Sequence, residues 1–386
     1  MRKGAGELFD ELLEADRAVL AVQPQVEELR ARRKLKGKPT PEQLAELEQV
    51  KAELQGLDEE LAAAETRRQT ILDLVPNPPD DETPDGFTEE DAVVVRVVGE
   101  PPSFDFPARD HLDLAQAFGW IDVERAAKVS GARFAYRVGD VALLELALYR
   151  YALDRLAAKG FVTVLPPVLV REDALIGTGA FPSDEQNVYA VPEDGLFLSA
   201  TAEIPLASLH AGEILEPAEL PLRYVAFSPC FRREAGAAGR DTRGMFRVHQ
   251  FNKVEQFALT LPEQSWDEHE LLLANTEDLV RELGVPYRVV VLPAGDISAA
   301  SAKTYDVEIW FPSQDRYRET ASISNTTDFQ ARRLGIRYRE GKSPEPVHML
   351  NGTAIVDRMA LAILENFQGE VPVVLRDYGA PERVTP

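Results

Sequence analysis

Cysteine, histidine and long apolar runs are all scarce in this chain of 386 residues. With Cys230 as its one cysteine, the chain can form no intramolecular disulfide and offers no cysteine-based zinc site. Its five histidines are too few to make an imidazole-based metal site an expected feature. No apolar run approaches the roughly 20 residues that span a bilayer, and residues 1–30 lack the apolar centre of a secretory signal. We therefore expect a cytoplasmic protein of a reducing compartment, without a membrane partner.

An excess of positive charge is also missing. Lys and Arg number 42 against 65 Asp and Glu, and the net charge of −23 argues against a general nucleic-acid binder. A local basic patch nevertheless occurs in a stretch that contains no acid. Its members are Arg30, Arg32, Arg33, Lys34, Lys36 and Lys38. An acidic body would steer a polyanion toward such a patch and repel it elsewhere.

Two segments near the start carry the apolar spacing of a coiled coil. Apolar residues recur at alternating steps of four and three in residues 8–29 and again in residues 47–75. Between them, Thr40 is predicted to cap the second helix, with Gln43 completing a capping box. Helices joined by so short a turn should fold back as an antiparallel pair about 50 Å long. Pro24 lies inside the first helix, where we expect it to kink or break the rod.

The rest of the chain divides into a linker and a large body. Residues 76–86 are acidic and rich in turn formers, so we assign residues 1–75 to a helical unit, 76–86 to a linker and 87–386 to the body. A helix is predicted for residues 143–159, followed by a strand over residues 160–170 that a Pro pair closes. Apolar runs then alternate with hairpins, which predicts an antiparallel sheet with helices laid across it, an α+β fold. Since no P-loop or Gly-x-Gly-x-x-Gly motif follows a strand, side chains would have to hold any nucleotide.

The most distinctive stretch is residues 231–255, where two Arg-rich clusters flank a loop of Gly and Ala. Its flanks read as strands, and a Glu stands near each end, Glu234 and Glu255. Guanidinium groups fixed on paired strands match the oxygens of a polyphosphate, and a Gly-rich loop can close over a ligand. A solvated charged hairpin is the alternative.

This stretch resembles motif 2 of the class II aminoacyl-tRNA synthetases, and specifically of the seryl-tRNA synthetases. The predicted helix and strand at residues 143–170 are similar to motif 1, the dimer element of that class. Further segments resemble the family's signatures, in its order and at close to its spacing: residues 201–206, 317–325, 328–333, 350–353 and 364–368. The resemblance covers nearly the whole chain, which makes it more specific than any single motif.

The resemblance implies a homodimer whose class II catalytic domain is an antiparallel β-sheet flanked by helices, preceded by an antiparallel coiled-coil arm. It implies that ATP, with Mg²⁺, activates L-serine to seryl-adenylate, and that serine then passes to tRNA(Ser). The arm would grip the tRNA, with the basic patch at its turn as the contact. From the apolar spacing alone, a dimerisation coiled coil or a helix pair packed on the body is the alternative.

The resemblance also assigns roles to particular residues. Arg232 would bridge the serine carboxylate and the α-phosphate, because two anions must meet there, and Glu255 and Arg358 complete the catalytic set. The expected serine-binding residues are Thr201, Ala202, Glu203, Glu255 and Thr353. The expected ATP-binding residues are Arg232, Arg233, Glu234, Arg247, Phe251, Glu319, Thr320, Ala321, Ser322 and Arg358. Glu319 and Ser322, which offer hard oxygen ligands, would hold Mg²⁺.

Finer roles follow within the ATP set. Glu234 is expected to share a strand face with Arg232 and to read the adenine edge. Arg247 would reach the terminal phosphates, and Phe251 would stack on adenine or else be a core residue. We assign no catalytic histidine, since positioning and charge suffice, and expect His249 to support the motif 2 loop.

One spacing departs from the family. Asn351 and Arg358 are seven residues apart, where the family places the Arg eight residues beyond the Asn, and Asp357 stands beside this Arg. A one-residue shift turns a helical side chain by about 100°. We expect the loop before the helix to absorb the difference, because residues 364–368 stay in frame with the helix end. The alternative is a misaimed Arg358.

Two other functions remain open from the sequence. The first is a paralog that activates serine or another small amino acid for a non-tRNA acceptor, which Pro24, the altered spacing and the short start of the arm motivate. The second is a non-catalytic tRNA-binding or regulatory protein. Four retained residues count against it: Arg232, Glu234, Glu255 and Glu319. Serine selection over threonine is not decided by these residues.

Overall fold

The computed structural model describes residues 2–34, 40–235 and 245–384. The chain divides into two compact units, Met1–Pro76 and Asn77–Pro386. The first is helical and the second contains the β-sheets. Each unit is described by itself below.

Of residues 76–86, which the sequence predicts as a linker, all but the first belong to the second unit. Asn77 is buried, and its side-chain amide donates to the carbonyl oxygen of Ala300 at 2.9 Å. Thr83 is also buried and donates to the carbonyl oxygen of Ala302 at 2.9 Å. Turn formers without periodicity here mark an irregular segment tied down by hydrogen bonds, which composition does not distinguish from a free linker.

The first unit is a pair of long helices, α1 (Gly6–Arg32) and α2 (Pro41–Leu74). Apolar residues at the predicted positions form the core between them: Val19, Val22, Val26, Leu29, Val50, Leu54 and Leu61. Ion pairs join the helices in antiparallel order: Asp16–Arg68, Arg30–Asp58 and Arg32–Glu46. The predicted capping box is confirmed, because Thr40 Oγ1 accepts the Gln43 N–H and Gln43 Oε1 accepts the Thr40 N–H.

Pro24 does not break α1, which continues through it to Arg32. Its side chain is exposed, whereas Val22 and Val26 on either side are buried against α2. A proline removes one i→i−4 hydrogen bond, and on an exposed face water can bind the carbonyl that loses its partner. Apolar contacts on both sides of the proline therefore hold the helix together.

The second unit carries helices over one large sheet and several small ones. Its α-helices are α3 (His111–Phe118), α4 (Val123–Ser130), α5 (Asp140–Ala158), α6 (Glu172–Thr178), α7 (Glu203–Ala207), α8 (Ser265–Leu283), α9 (Phe329–Leu334) and α10 (Arg358–Phe367). Its strands are β1 (Val93–Val98), β2 (Ile121–Asp122), β3 (Tyr136–Arg137), β4 (Val162–Val164), β5 (Leu169–Val170), β6 (Tyr189–Val191), β7 (Leu196–Leu198), β8 (Ile214–Leu215), β9 (Leu222–Phe231), β10 (Gln250–Thr260), β11 (Tyr287–Val291), β12 (Lys303–Phe311), β13 (Arg316–Asn325), β14 (Arg337–Tyr338), β15 (Glu345–Pro346) and β16 (His348–Val356). Within the described ranges, no helix is long and apolar enough to cross a membrane.

The large sheet orders its strands β1-β11-β12-β13-β16-β10-β9-β4. Neighbours run antiparallel except β4 and β9, which are parallel. The main apolar core lies between one face of this sheet and helices α5, α8 and α10. The predicted antiparallel sheet with helices across it, and the α+β class, are therefore confirmed. The other face of β10, β13 and β16 is left to form a cavity.

The prediction of a single strand over residues 160–170 is wrong. Two short strands, β4 and β5, lie there and belong to different sheets. Pro166 and Pro167 separate them, and a proline has no N–H to continue a strand ladder. The Pro pair therefore redirects the chain from the edge of the large sheet into the small sheet β5-β7-β6.

Candidate active site

A cavity of about 290 Å³ opens where β10, β13 and β16 meet the start of α10. This volume suits a small ligand, since ligand pockets begin near 300 Å³. Most of the predicted site residues line it: Thr201, Glu203, Arg232, Glu234, Arg247, Phe251, Glu255, Glu319, Thr320, Ser322, Thr353 and Arg358. The fold thus brings together side chains that the sequence places in five separate segments.

Three predicted residues do not present their side chains to the cavity. Ala202 and Ala321 are almost fully buried in the apolar cores, so any contact they make with a ligand would come from the backbone. Arg233 is exposed and does not line the cavity, and its N–H donates to the carbonyl oxygen of Asn187. For Ala321 the reason is strand alternation, because it faces away from its neighbour Ser322.

Two β-bulges decide which side chains reach the cavity. In β13, Glu319 and Ser322 are three residues apart and would face opposite sides of a regular strand. The register against β12 shifts there, so that Thr320 is an extra residue and both side chains face the cavity. In β16, a matching shift makes Ala354 the extra residue opposite β10. The bulges therefore make the spacing of these residues compatible with one site.

One end of the cavity is closed by a compact polar cluster. Lys253 Nζ donates to Thr201 Oγ1 at 2.8 Å and forms an ion pair with Glu255. Glu203 lies beside them and accepts hydrogen bonds from two side-chain amides, at 2.7 and 3.1 Å. Burial raises the pKa of Glu203, and the charge of Glu255 raises it further. The oxygens of two carboxylates and a hydroxyl around one ammonium can accept hydrogen bonds from the ammonium and hydroxyl of a small ligand.

Sequence reasoning missed Lys253. The signal was present, because Lys253 and Glu255 are two residues apart in a predicted strand and must share a face. Asp306 was also missed. It is buried on β12 directly opposite Ser322, and burial and the charge of Glu319 raise its pKa well above the ordinary value. No pattern in the sequence indicated that it lies next to Ser322.

At the other end of the cavity, Glu234 and Arg247 form an ion pair with each other. Glu234 was expected on the strand of Arg232, but β9 ends at Phe231 and Glu234 has a left-handed backbone with φ of 52°. A residue in the left-handed region turns the chain away from the strand direction, so Glu234 does not continue β9. Both carboxylate and guanidinium still line the cavity.

Arg232 is held by its surroundings on two sides. Its guanidinium carbon lies 5.1 Å from the ring centre of Phe251, a cation–π contact on the cavity wall. Its N–H donates to the carbonyl oxygen of His249, and the His249 Nδ1 lies 3.0 Å from the carbonyl oxygen of Arg232. His249 therefore contacts the backbone of Arg232 at the start of the Gly-rich loop. The central Gly-rich residues 236–244 lie outside the described part of the chain.

Arg358 is the first residue of α10, and its side chain lines the cavity. Its guanidinium donates to the backbone carbonyl oxygens of Glu319 and Phe246. A single residue, Asp357, separates β16 from α10. The shortened spacing is thus accommodated at this junction, and Arg358 and Arg232 line the same cavity.

A divalent cation would find few protein ligands here. Among the described residues, no group of three or more His, Cys, Asp or Glu side chains is arranged to hold a metal ion. Glu319 and Ser322 offer two oxygen ligands on one wall, and Asp306 lies opposite Ser322. This set suits an ion such as Mg²⁺, which keeps several waters and shares the oxygens of a bound phosphate.

The predicted tRNA contacts lie in the first unit. Arg30 and Arg32 are exposed and pair with carboxylates of α2, while Arg33 and Lys34 are exposed. Lys36 and Lys38 lie outside the described residues. Four of the six predicted basic residues are therefore accessible to a polyanion near one end of the helix pair.

Comparison with known proteins places this fold and cavity in a family. Residues 189–367 match the model of the tRNA synthetase class II core domain (G, H, P, S and T). The chain is 45% identical to the serine–tRNA ligase of Thermobifida fusca over an alignment of 386 positions, which covers 96% of this chain and 91% of that protein.

Solved structures agree with this likeness. The seryl-tRNA synthetase of Pyrococcus horikoshii complexed with ATP superposes with a TM-score of 0.93 at 39% identity, over 100% of this chain and 95% of that one. The cytoplasmic serine–tRNA ligase of Naegleria fowleri in complex with AMP gives a TM-score of 0.90 at 32% identity, over 100% and 93%. The chain belongs to the seryl-tRNA synthetase family, the class II aminoacyl-tRNA synthetases that act as serine–tRNA ligases.

Proposed function

We propose that the cavity activates L-serine with ATP to form seryl-adenylate, and that serine is then transferred to tRNA(Ser). The observation that carries the proposal is that one cavity joins the Thr201–Lys253–Glu255 cluster to the guanidinium groups of Arg232 and Arg358. The polar cluster fits an amino acid with a hydroxyl, and the two guanidinium groups fit phosphates. The relatives with bound ATP and AMP support a nucleotide as the second ligand.

At the polar end, Glu255 accepts from the serine ammonium, and Thr353 and Thr201 meet the serine hydroxyl. An enclosed polar pocket rejects alanine, because its polar groups would then remain unpaired. It rejects larger residues by volume. Threonine differs from serine by one methyl group, which a pocket of this kind discriminates by about 1–3 kcal/mol. Threonine is therefore the most demanding competitor for a specificity test.

At the phosphate end, Arg232 neutralises the serine carboxylate and the α-phosphate, so that two anions can approach each other. The aromatic face of Phe251 limits the directions that its guanidinium can take. Arg358 and Arg247 meet the outer phosphates, and Glu234 meets the adenine edge. Binding of ATP would exchange the Glu234–Arg247 ion pair for contacts with the nucleotide. The attack is thus promoted by position and charge, without a catalytic histidine.

Mg²⁺ would be held by Glu319 and Ser322, with phosphate oxygens and water as its other ligands. When bound, it would supply positive charge that neutralises the ATP phosphates. Asp306 lies beside Ser322 on the neighbouring strand, and burial and the charge of Glu319 raise the pKa of its carboxyl.

The helix pair α1 and α2 is proposed to bind tRNA(Ser) through the basic patch near its turn. Arg33 and Lys34 are exposed there and can contact phosphates directly. Arg30 and Arg32 would exchange their carboxylate partners for phosphates. Binding should therefore weaken steeply with salt, as counterion release requires.

We propose a homodimer in the cytoplasm, with the motif 1 segment at the subunit contact. Apolar side chains on α5 and near β4 are exposed, and Leu146 and Leu165 are 60% and 79% exposed. Large apolar side chains exposed on this segment are available for such a contact. Light scattering should give about twice the chain mass of 42.8 kDa, and a mass near that of one chain would contradict the dimer.

The deciding experiment is serine-dependent ATP–pyrophosphate exchange, run beside charging of tRNA with labelled serine. Exchange together with charging supports the proposal. Serine should be preferred over alanine and threonine at equal concentration. The variant Glu255→Gln should lose most serine-dependent exchange, because the substrate ammonium loses its carboxylate partner.

Glu268→Gln is a matched control, because the Glu268 carboxylate is equally buried but pairs with Arg223 outside the cavity. This control should keep the exchange activity. Exchange without charging would move the function to a different acceptor. No exchange in the wild-type protein would overturn both enzyme functions and leave a non-catalytic tRNA-binding protein.

A further inference from the structure

Three charged side chains lie buried behind the start of α10. Arg137 of β3, Glu145 of α5 and Asp357 have side chains that are 16%, 6% and 10% exposed. Arg137 Nε lies 3.1 Å from Glu145 Oε1, and its Nη2 donates to Asp357. One guanidinium thus serves two buried carboxylates.

This arrangement is a poor way to stabilise a fold. Burial raises the pKa of Glu145 to about 7, and burial also raises the pKa of Asp357. Taking charged groups out of water often costs more than their attraction returns, and apolar residues could fill the same space. The buried cluster therefore calls for a reason other than stability, and its position supplies one.

Asp357 is the single residue between β16 and α10, and Arg358 follows it directly. Its N–H donates to the carbonyl oxygen of Asn252, and its own carbonyl oxygen accepts the N–H of Ala360 at 2.9 Å. Asp357 occupies the N-cap position of α10, where an Asp side chain ordinarily caps the helix, but it forms no such cap. The carboxylate is turned to Arg137 instead. Both the backbone and the side chain of Asp357 are therefore held.

The direction of Arg358 depends on this junction. One residue of slippage turns a helical side chain by about 100°, and no further loop residue is present to correct it. Arg358 now reaches the cavity wall, where its guanidinium donates to the carbonyl oxygens of Glu319 and Phe246. Loss of the anchor at Asp357 would let the first turn of α10 move, and Arg358 with it.

We propose that Arg137 and Asp357 form a positioning pair that fixes the start of α10, so that Arg358 points into the ATP end of the cavity. Glu145 ties this pair to α5, because it contacts Arg137 and also accepts a hydrogen bond from Tyr149 of the same helix. The inference rests on the proposed function for the identity of the ligand. It adds two residues, Arg137 and Asp357, that act through Arg358 and touch no substrate.

The test uses Asp357→Asn in the full-length protein. We expect the KM for ATP in pyrophosphate exchange to rise about tenfold or more, with the KM for serine unchanged within twofold. In an Arg358→Met background, the same substitution should have little further effect, because it acts through a side chain that is already gone. Equal effects in both backgrounds, or parallel rises in both KM values, would overturn the proposal.

Arg137 gives a second, independent test. Arg137→Met should raise the KM for ATP as Asp357→Asn does, and Arg137→Lys, which keeps the charge, should recover part of the loss. Glu268→Gln serves as a control for the loss of a buried ion pair elsewhere, and should leave the KM for ATP unchanged. A rise in that control equal to the rise in Asp357→Asn would show general destabilisation and refute the positioning role.

Direct binding separates this inference from the proposed function. The Kd of ATP alone, measured by titration calorimetry, should rise in Asp357→Asn and Arg137→Met. If the wild-type protein binds ATP but shows no serine-dependent exchange, the proposed function fails while the comparison of ATP affinities still tests the pair. Unchanged ATP affinity in both variants would overturn the positioning pair whatever the reaction.

Discussion

Replacement of Glu145 by Gln should change how the stability of this protein depends on pH. The Glu145 carboxylate accepts hydrogen bonds from Arg137 Nε at 3.1 Å and from the Tyr149 hydroxyl at 3.3 Å. It shares Arg137 with Asp357, and burial raises its pKa from 4.5 to about 7. Gln keeps the shape and one carbonyl acceptor but cannot ionise. Arg137 still has Asp357 as a partner in the variant.

The sign follows from linkage. Between pH 4.5 and about 7 the unfolded chain has released the proton of Glu145 while the folded chain retains it. Stability falls with rising pH wherever the unfolded state binds fewer protons. A carboxylate whose folded pKa is raised therefore lowers the free energy of unfolding as pH rises through this window. The full loss is about 3 kcal/mol, from 1.36 kcal/mol per pKa unit.

The assay is denaturant unfolding of wild type and Glu145→Gln between pH 5 and pH 8, at one protein concentration because subunit association affects the midpoint. Near pH 5 we expect the free energy of unfolding of the variant to be about 1 kcal/mol below that of wild type, the value of one lost hydrogen bond. By pH 8 the variant should have gained about 3 kcal/mol relative to wild type. Titrating groups that do not interact with Glu145 are common to both proteins and cancel in this difference.

Glu268→Gln is the control, since Glu268 is equally buried but has Arg223 to itself in a two-bond pair. It should lose free energy of unfolding at every pH in the range. A difference between Glu145→Gln and wild type that stays constant from pH 5 to pH 8 would refute the reasoning. It would mean that Glu145 is ionised in the folded protein throughout, with Arg137 balancing its charge.

Two further predictions concern the serine end of the cavity and the helix pair. Lys253→Met leaves the buried Glu255 without its ammonium, so the free energy of unfolding should fall by about 3–5 kcal/mol, and added serine should recover part of this because it brings an ammonium. Thermal melting with and without serine checks this, and equal stabilisation of variant and wild type by serine would contradict it. Thr40→Ala removes the cap that accepts the Gln43 N–H, which should cost α2 about 1 kcal/mol. Melting followed by circular dichroism measures that cost, and pyrophosphate exchange should not change, whereas unchanged melting would show that the cap contributes nothing.

The helix pair shows how far local pattern reaches. Apolar residues at coiled-coil spacing and the Thr40 cap are properties of a few neighbouring residues, and both were predictable. The effect of Pro24 was not, because it depends on whether the proline faces solvent or the partner helix. Residues 76–86 were read as a linker for a similar reason. Their composition is that of a loop, and their hydrogen bonds to distant residues leave no trace in it.

The cavity shows where local pattern stops. Residue types at the site could be named from the motifs, and most of them line one cavity. The side of the strand to which each side chain points could not be derived from the sequence. Glu319 and Ser322 line the same wall only because of a bulge in the pairing of β13 with β12. Ala321 is buried in the core because it lies next to Ser322 on the strand and points to the opposite face. The roles assigned to individual residues in binding serine, ATP and tRNA stay predictions until the variants are measured.

The sequence by itself determined the family, the helix pair, the α+β class and the set of charged residues available for chemistry, since each depends on residue type and short-range spacing. Tertiary structure alone decided which of those charges meet. Lys253 with Thr201, and Arg137 with Asp357, are contacts between residues far apart in the chain. Such contacts follow from strand register and helix packing, which arise from the whole core at once, so no local stretch of sequence encodes them.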